Sequence, residues 1–216
     1  MKDTFRHKGL RKILVENLID KGIKDNKVLE MINEIPRHLF MDNAFVQFAY
    51  LDKAFPIGNG QTISQPYTVA FQTQLLEIKR YEKVLEVGTG SGYQSAILIG
   101  LEADLYTIER QKQLFKKTKE FLPKLGYNCN FFYGDGYMGL EKFAPFDKII
   151  VTCGAQNVPY KLIKQLKIGG KMVVPVGKSD IQVMYLIEKL SDNKNNISEH
   201  GEFSFVPMLN NKSHDI

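Results

Sequence analysis

The chain has 216 residues and a net charge of +5, with 44% hydrophobic and 25% charged residues. This length suits one α/β domain with a modest extension and allows a substantial buried core. No apolar run approaches the roughly 20 residues that a spanning helix needs, and the charged N-terminus does not resemble a signal peptide, so a membrane or secreted protein is not expected. Only two cysteines occur, Cys129 and Cys153, far apart and without metal-ligand neighbours. We therefore expect neither a disulfide framework nor a metal site, and a reducing, cytoplasmic environment.

The first 50 residues predict two helices and an aromatic-rich segment. A first helix is predicted over residues 5–20, with Gly22 just past its end. A second should begin near Asp25, a residue type that caps helix N-termini, and end before Pro36. His38 follows; an acid–base role is conceivable, but a structural role between two helical segments is favoured. The residues expected to face inward on the first helix are Leu10, Ile13, Leu14, Leu18 and Ile19.

Residues 55–66 predict a long, irregular loop. Loops of this length are usually functional or disordered, and the Phe, Ile and Gln content favours an ordered, functional one. A helix is predicted over residues 67–79, with Ser64 as its candidate N-cap and Pro66 in its first turn. Helix capping alone would be a sufficient role for Ser64.

Residues 84–94 are the most informative stretch. An apolar run stops at Gly88, Gly90 and Gly92, and a helix-like run follows at once. This pattern is typical of a strand, a tight turn and a helix start that present main-chain N–H groups to a ligand. A dinucleotide fingerprint would need its third glycine at position 93, where Tyr93 stands. The spacing therefore favours a nucleoside ligand without a pyrophosphate, such as S-adenosylmethionine, over another nucleotide or a purely structural turn.

Strands and helices alternate from residue 81 onward, which predicts a parallel sheet with right-handed crossovers. The expected fold is α/β, a doubly wound, mostly parallel, Rossmann-like sheet with N-terminal helices and a C-terminal antiparallel hairpin. Five strands are predicted at 83–87, 105–108, 130–133, 147–152 and 171–176, with a helix at 159–166 and hairpin strands at 181–190 and 200–206. We expect one domain over 1–216, comprising helices and an active-site loop (1–80), a cofactor-binding core (81–177), the hairpin (178–208) and a polar tail (209–216), mobile from residue 210.

Acidic residues stand at the ends of the first three core strands. Ligands of open α/β sheets lie across the carboxyl ends of the strands. Glu86 lies just before Gly88, and Glu109 lies about 20 residues beyond it, the spacing at which an acid accepts both ribose hydroxyls. Asp135 and Gly136 end the third strand, where an adenine amino group would be reached. Each acid alone could be a solvated strand end, but three together with the glycine turn favour S-adenosylmethionine.

S-adenosylmethionine is a methyl donor, so the chain is expected to be a methyltransferase, and other patterns disfavour particular classes of acceptor. Residues 152–159 lack the Asp/Asn-Pro-Pro-aromatic run of enzymes that methylate adenine amino groups. Cys153 could attack a pyrimidine, but neither an acid nor a histidine is adjacent, so this role is disfavoured. Basic residues concentrate in residues 110–124, where a solvated helix face is favoured over a nucleic-acid patch.

The chain resembles the protein-L-isoaspartate O-methyltransferase family. The segments that carry the resemblance follow one another in order at 35–40, 49–52, 56–66, 84–94, 134–136, 166–171, 175–177 and 205–208. The Gly-Gln-Thr-Ile-Ser-Gln-Pro run at 60–66 is the specific one, because general methyltransferases lack it. The resemblance implies methyl transfer from S-adenosylmethionine to the α-carboxylate of L-isoaspartyl or D-aspartyl residues in damaged proteins, which starts repair through a succinimide.

The same resemblance implies site residues. Ser64 would be the catalytic residue. The cofactor would lie against Gln61, Thr62, Ile63, Ser64 and Val69, in addition to Glu86, Gly88, Gly90, Glu109, Asp135 and Gly136. The isoaspartyl pocket would comprise Ser64, Ala155 and Val206. The chain departs from the family at Gly154-Ala155-Gln156-Asn157, where Ala-Ala-Pro-Glu is common, and this bears on the substrate contacts.

The implied partners are isoaspartyl-containing peptides and proteins, with no stable nucleic-acid partner, no membrane and a monomeric state. Two rival functions stay open on the residues alone. One is a methyltransferase of similar fold that acts on a small molecule or nucleic acid. The other is a non-catalytic cofactor-binding module that contacts a partner through its N-terminal helices.

Overall fold

A seven-stranded sheet forms the centre of the computed structural model, which describes residues 2–213. In chain order the strands are β1 (Phe55–Gly58), β2 (Gln61–Ile63), β3 (Lys83–Val87), β4 (Asp104–Glu109), β5 (Asn130–Tyr133), β6 (Phe146–Val151), β7 (Leu166–Val176), β8 (Gln182–Ser191) and β9 (Lys194–Phe203). The helices are α1 (Phe5–Asp20), α2 (Asn26–Glu34), α3 (Pro66–Leu76), α4 (Tyr93–Gly100), α5 (Lys112–Lys124) and α6 (Tyr160–Lys164). None of the helices described in this part of the chain combines the length and apolar character needed to cross a membrane.

The large sheet has the spatial order β5-β4-β3-β6-β7-β8-β9. Neighbours from β5 to β7 run parallel, and β8 and β9 add an antiparallel hairpin at one edge. The predicted fold class is therefore confirmed. The order reverses between β3 and β6, and this is where an open α/β sheet leaves a crevice at its carboxyl edge.

Both faces of the central strands are buried. Val84 of β3 packs with Leu76 of α3 and Leu98 of α4 on one face. Leu85 packs with Leu162 of α6 on the opposite face. Helix α2 contacts α3 and α4, and α1 lies against α2, so the N-terminal helices form an outer layer on one side.

Helix α1 buries a narrower stripe than its sequence predicts. Leu14 and Leu18 are buried, one helical turn apart. Ile13 and Ile19 are 55% and 51% exposed, so the prediction that they face inward was wrong. Arg11 takes the next position of the buried stripe, where it binds both carboxylate oxygens of Asp3 at 2.8 Å. Because a charged residue, Arg11, occupies part of the buried face of α1, the pattern of apolar residues alone did not identify that face.

Residues 55–63 form a β-hairpin rather than the predicted irregular loop. Strands β1 and β2 pair antiparallel, and the residues between them, Asn59 and Gly60, have φ values of 54° and 66°. An Asn-Gly pair with both φ values positive is the preferred two-residue hairpin turn. The segment that carries the family resemblance is thus a defined arm that ends beside α3.

Helix α3 is not capped by Ser64 as predicted. The residue before its first turn is Gln65, whose side chain makes no capping hydrogen bond. Instead the Asp52 carboxylate accepts the main-chain N–H of Tyr67 at 2.8 Å. A residue from an earlier segment therefore supplies the acceptor at the helix start, and the Ser64 hydroxyl is left for another role.

Several element bounds differ from expectation. Helix α6 ends at Lys164 rather than at residue 166, and β7 begins at Leu166 rather than at residue 171. Helix α3 ends at Leu76, where Glu77 adopts a left-handed conformation. Strand β9 begins at Lys194 rather than at residue 200, because pairing with β8 satisfies its backbone whatever the side chains are.

The C-terminal residues 207–213 lie against the carboxyl edge of the sheet, and we call them the C-terminal strap. Asn211 donates its N–H to Asp135 at 2.8 Å and accepts a hydrogen bond from Arg110 Nε at 2.9 Å. Ser213 donates its N–H to the Arg110 carbonyl at 3.0 Å and accepts from the Tyr133 hydroxyl at 2.6 Å. The prediction of a mobile tail from residue 210 was wrong for 210–213; residues 214–216 lie outside the described part of the chain.

Candidate active site

The glycine turn between β3 and α4 forms the floor of a cleft of about 790 Å³, its open mouth included. Gly88 has a φ of 101°, and a Cβ built there would collide with the Thr152 hydroxyl oxygen. Gly90 has a φ of 52°, and a Cβ built there would make an ordinary contact of 3.5 Å with Ile57 Cδ1. These positions let the main chain pass close beneath the cleft, as the turn pattern requires.

Ten of the residues predicted for the site line this cleft. From the hairpin side they are Gln61, Thr62, Ile63, Ser64 and Val69. From the carboxyl edge of the sheet and beyond they are Gly88, Gly90, Glu109, Gly136 and Val206. The hairpin and the glycine turn are distant in sequence, and the fold brings them together in the lining of one cavity.

Glu109 ends β4 with its carboxylate at the cleft wall. One oxygen accepts the N–H of Gly90 at 2.9 Å and the other accepts the N–H of Gln111 at 2.7 Å. Burial raises the pKa of this carboxyl, and the N–H donors act in the opposite direction. Each oxygen keeps a lone pair, so the carboxylate can accept a pair of adjacent hydroxyls such as those of a ribose.

Glu86 does not line the cleft, which corrects its prediction as a cofactor ligand. Its side chain is fully buried beneath α4, where Oε2 accepts hydrogen bonds from Ser95 at 2.5 Å and Thr107 at 2.6 Å. Burial raises its pKa to about 8. The reason is strand alternation: Glu86 shares a face with Val84, and that face is covered by helices.

Asp135 is also displaced from the role predicted for it. Its oxygens accept the N–H groups of Tyr137 at 2.9 Å and of Asn211 in the strap at 2.8 Å, and the residue is not part of the cleft wall. Its neighbour Gly136 is part of the cleft wall. A Cβ at Gly136 would lie 2.5 Å from Val87 Cγ1, so only a glycine main chain fits at this point.

A second cleft of about 880 Å³, open mouth included, adjoins the first. The two clefts share Thr62, Ser64, Thr152 and Val206. Ser64 is half-buried between them. A group bound in the second cleft can therefore reach a group bound in the first across the Ser64 wall.

Of the predicted substrate residues, Ala155 lies elsewhere. It is fully buried, with its N–H bonded to the Pro175 carbonyl and its own carbonyl bonded to the N–H of Gly177. Ala155 borders neither cleft, so the prediction that it contacts the substrate is wrong for its side chain. The neighbouring Gly154 instead positions Val206, whose carbonyl accepts the N–H of Gly154 at 2.8 Å.

Several cleft residues were not singled out from the sequence. Tyr93 and Gln94, at the start of α4, face the cleft, and Pro207, Met208 and Leu209 of the strap close another side. Gln94 donates to Thr73 at 3.0 Å, while its buried Oε1 has no hydrogen-bond partner within residues 2–213. The position of Gln94 directly after the glycine turn was the available signal. Pro207 and Met208 lie in the segment at 205–208 that carries the resemblance, but no local pattern indicates the position of the strap, which depends on contacts beside β4 and β5.

The titratable groups of the site do not form a nucleophile–base pair. Burial raises the pKa of the Cys153 thiol to about 12, so it is neutral at physiological pH. His38 is buried at the N-terminal helices, where its Nδ1 lies 2.6 Å from the Tyr50 hydroxyl. This geometry supports its structural role. The arrangement can orient reactants, and the lining carboxylate of Glu109 is already bonded to two main-chain N–H groups.

One group of potential metal ligands occurs among the described residues, away from both clefts. Asp3, His7 and His38 have ligand atoms within 4.8 Å of one another. Arg11 binds both oxygens of Asp3, and its charge opposes a cation at this position. The group is better explained as the polar contact that fixes α1.

Comparison with known proteins identifies the family. Residues 9–213 match the family model of protein-L-isoaspartate(D-aspartate) O-methyltransferase. A protein-L-isoaspartate O-methyltransferase of Christiangramia forsetii is 58% identical over 99% of this chain and 100% of its own length. One of Dictyoglomus thermophilum is 49% identical over 95% of this chain and 94% of its own.

Solved structures agree. A Plasmodium falciparum protein described as a protein-L-isoaspartate O-methyltransferase, crystallised with S-adenosyl-L-homocysteine, superposes with a TM-score of 0.79 at 26% identity. The match covers 95% of this chain and 99% of that one. The resemblance noted in the sequence is confirmed, and the chain belongs to the protein-L-isoaspartate(D-aspartate) O-methyltransferase family.

Proposed function

We propose that this protein transfers the methyl group of S-adenosylmethionine to the α-carboxylate of L-isoaspartyl residues in proteins. The observation that carries the proposal is the wall at Ser64, which separates a cleft built on the glycine turn from a second cleft. One cleft suits the methyl donor and the other a peptide, and family membership gives the reaction.

The residues present fit S-adenosylmethionine. The Glu109 carboxylate keeps lone pairs that can accept ribose hydroxyls, and the unpartnered Gln94 Oε1 suits a cationic amino group. The strap residues Pro207 and Met208 give an apolar surface for a flat base. The cofactor supplies a methyl group activated by its attachment to a positively charged sulfur.

The acceptor needs no general base. An α-carboxylate has a pKa of about 3.5 and is ionised at neutral pH. What the protein must supply is orientation and exclusion of water. The Ser64 hydroxyl, released from helix capping by Asp52, can donate a hydrogen bond to one carboxylate oxygen and aim the other into the first cleft. The hydroxyl of Thr152 also borders both clefts, but it already donates to the carbonyls of Val87 and Gly88 and cannot replace the Ser64 hydroxyl as a donor to the carboxylate.

The finer aspects of the function are part of the same proposal. D-aspartyl residues would be alternative acceptors, and flexible segments of many proteins would be substrates, because the second cleft is wide and open. The protein would act as a monomer in the cytoplasm, without a stable nucleic-acid partner. The lysines at 116, 117 and 119 are exposed on α5, which supports a solvated basic face.

The test is transfer of labelled methyl from S-adenosylmethionine to an isoaspartyl peptide, with the matching aspartyl peptide as control. We expect labelling of the isoaspartyl peptide alone, followed by release of the label as the ester cyclises. Equal labelling of both peptides, or of neither, would contradict the proposal. Labelling of RNA without labelling of the peptide would favour the rival methyltransferase.

A further inference from the structure

The second cleft contains one charged side chain among its described lining residues, Glu202. The other side chains around it are aromatic, small or uncharged polar groups. Glu202 lies where β9 ends and the chain turns toward Val206. Its carboxylate is exposed and forms no ion pair or hydrogen bond with the side chains of residues 2–213. An unpaired anion thus stands in the wall of the cleft that we assign to the peptide.

Aromatic residues line the same cleft. The ring of Phe203, the next residue, stacks on Tyr67 with a centroid distance of 6.2 Å and an interplanar angle of 13°. Phe203 also packs on Phe71 at 5.1 Å. Tyr67 and Phe203 both line the cleft. Aromatic faces beside a carboxylate attract a cationic side chain through the ring and through the charge together.

A lysine beside the Tyr67 ring is already compensated. Lys21 Nζ lies 5.7 Å from the centroid of the Tyr67 ring, which shows that this ring accommodates an ammonium group. The same Nζ is 2.6 Å from the Asp52 carboxylate, so its charge is paired. Glu202 therefore keeps its own charge available to a ligand.

Glu202 is separate from the position of the reacting carboxylate. It belongs to the second cleft alone, whereas Ser64 borders both. A carboxylate next to the acceptor would repel it, but one further along the cleft acts on a neighbouring residue of the same peptide.

We infer that Glu202, with Phe203 and Tyr67, forms a subsite for a lysine or arginine side chain that flanks the isoaspartyl residue in the substrate. The inference rests on the proposed function and adds a preference to it: isoaspartyl sites with a basic neighbour are methylated faster than those without.

The experiment compares isoaspartyl peptides that carry lysine, glutamine or glutamate at each of the three positions on either side. For the wild-type protein we expect one position at which kcat/KM for lysine exceeds that for glutamine about threefold to tenfold, with glutamate lowest. The preference should shrink at high salt, because the carboxylate is exposed. In Glu202→Gln the ratio of lysine to glutamine should fall to about one.

Glu199→Gln is the matched control. Glu199 is an exposed acid on the same strand and lies outside the cleft, so its variant has the same net charge as Glu202→Gln and should keep the wild-type ratio. A ratio near one in the wild type at all six positions, or a preference that survives in Glu202→Gln, would overturn the subsite. Both results are distinct from failure of the proposed function, in which no isoaspartyl peptide is labelled at all.

Discussion

The guanidinium of Arg37 donates a hydrogen bond of 3.0 Å to the main-chain carbonyl of Ser64. The same group also binds the carbonyls of Ala49 at 2.6 Å and Lys53 at 3.0 Å. Arg37 is fully buried, and burial lowers its pKa to about 10, so it remains charged at neutral pH. One planar cation therefore ties three separate segments together, and the position of Ser64 depends on it.

Replacement of Arg37 by lysine should misplace Ser64. Lysine keeps the charge but lacks the planar fork that reaches several carbonyls at once. We expect stability to fall by roughly 3 kcal/mol, since buried polar partners lose their donors, and kcat to fall at least tenfold. The measurements are thermal unfolding and methyl transfer at saturating peptide. Arg80→Lys, at an exposed arginine paired with Glu102, is the control and should change neither quantity appreciably. Wild-type kcat in Arg37→Lys would exclude this positioning role.

Removal of the Ser64 hydroxyl should affect turnover far more than cofactor affinity. A hydrogen bond to a charged group contributes about 1.5–3 kcal/mol, so Ser64→Ala should lower kcat about 10- to 100-fold. Binding of S-adenosyl-L-homocysteine, measured by calorimetry, should change less than threefold. Because the hydroxyl does not cap α3, we expect no loss of thermal stability. A variant with undiminished turnover would remove Ser64 from the mechanism.

The parallel core could be predicted from the sequence, because apolar strands alternate with helices and glycines mark the turn at Gly88. The hairpin was also within reach, since Asn59-Gly60 is a strong turn signal, but it was assigned to a loop. Glu86 could not be placed: β3 is buried on both faces and its residues do not alternate in polarity. Arg37 and the strap depend on contacts between distant segments, which no local pattern encodes.

Gly88 and Gly90, two of the three glycines in the turn, should tolerate replacement by alanine to different degrees. A methyl group at Gly88 would collide with the Thr152 hydroxyl and would require a side chain at a φ of 101°. At Gly90 the φ is 52°, and the nearest side-chain atom, Ile57 Cδ1, is 3.5 Å away. We expect Gly88→Ala to lower stability by roughly 3 kcal/mol and Gly90→Ala by about 1 kcal/mol. Thermal unfolding midpoints measure the difference, and equal losses would contradict the steric argument.

Glu86 should make stability fall as the pH rises. Its folded pKa is about 8, above the ordinary 4.5, so the folded protein holds a proton that the unfolded chain releases. The contribution is full below pH 4.5 and is lost progressively up to about pH 8, at no more than about 1.4 kcal/mol per pH unit. Glu86→Gln cannot titrate, so the free energy of unfolding of the variant relative to wild type should increase from pH 5 to pH 8. Any fixed cost of the amide is the same at every pH, and curves that stay parallel would contradict the buried proton.

The C-terminal strap should slow release of the cofactor. Pro207, Met208 and Leu209 border the first cleft, which we assign to the cofactor. The next four residues hold the strap at the ends of β4 and β5 through hydrogen bonds with Arg110, Tyr133 and Asp135. A chain that ends at Leu209 keeps the cleft residues and loses the bonds that hold them. We expect S-adenosyl-L-homocysteine to dissociate at least fivefold faster, because several hydrogen bonds of about 1 kcal/mol each are removed.

The smaller change Tyr133→Phe removes only the 2.6 Å bond to the Ser213 carbonyl and should accelerate release about twofold to fivefold. Tyr81→Phe, at an exposed tyrosine, is its control. Stopped-flow displacement of the bound product measures the rate. If the shortened chain releases it at the wild-type rate, the strap does not close the cleft, and the bond between Asp135 and Asn211 serves only to fix the C-terminus.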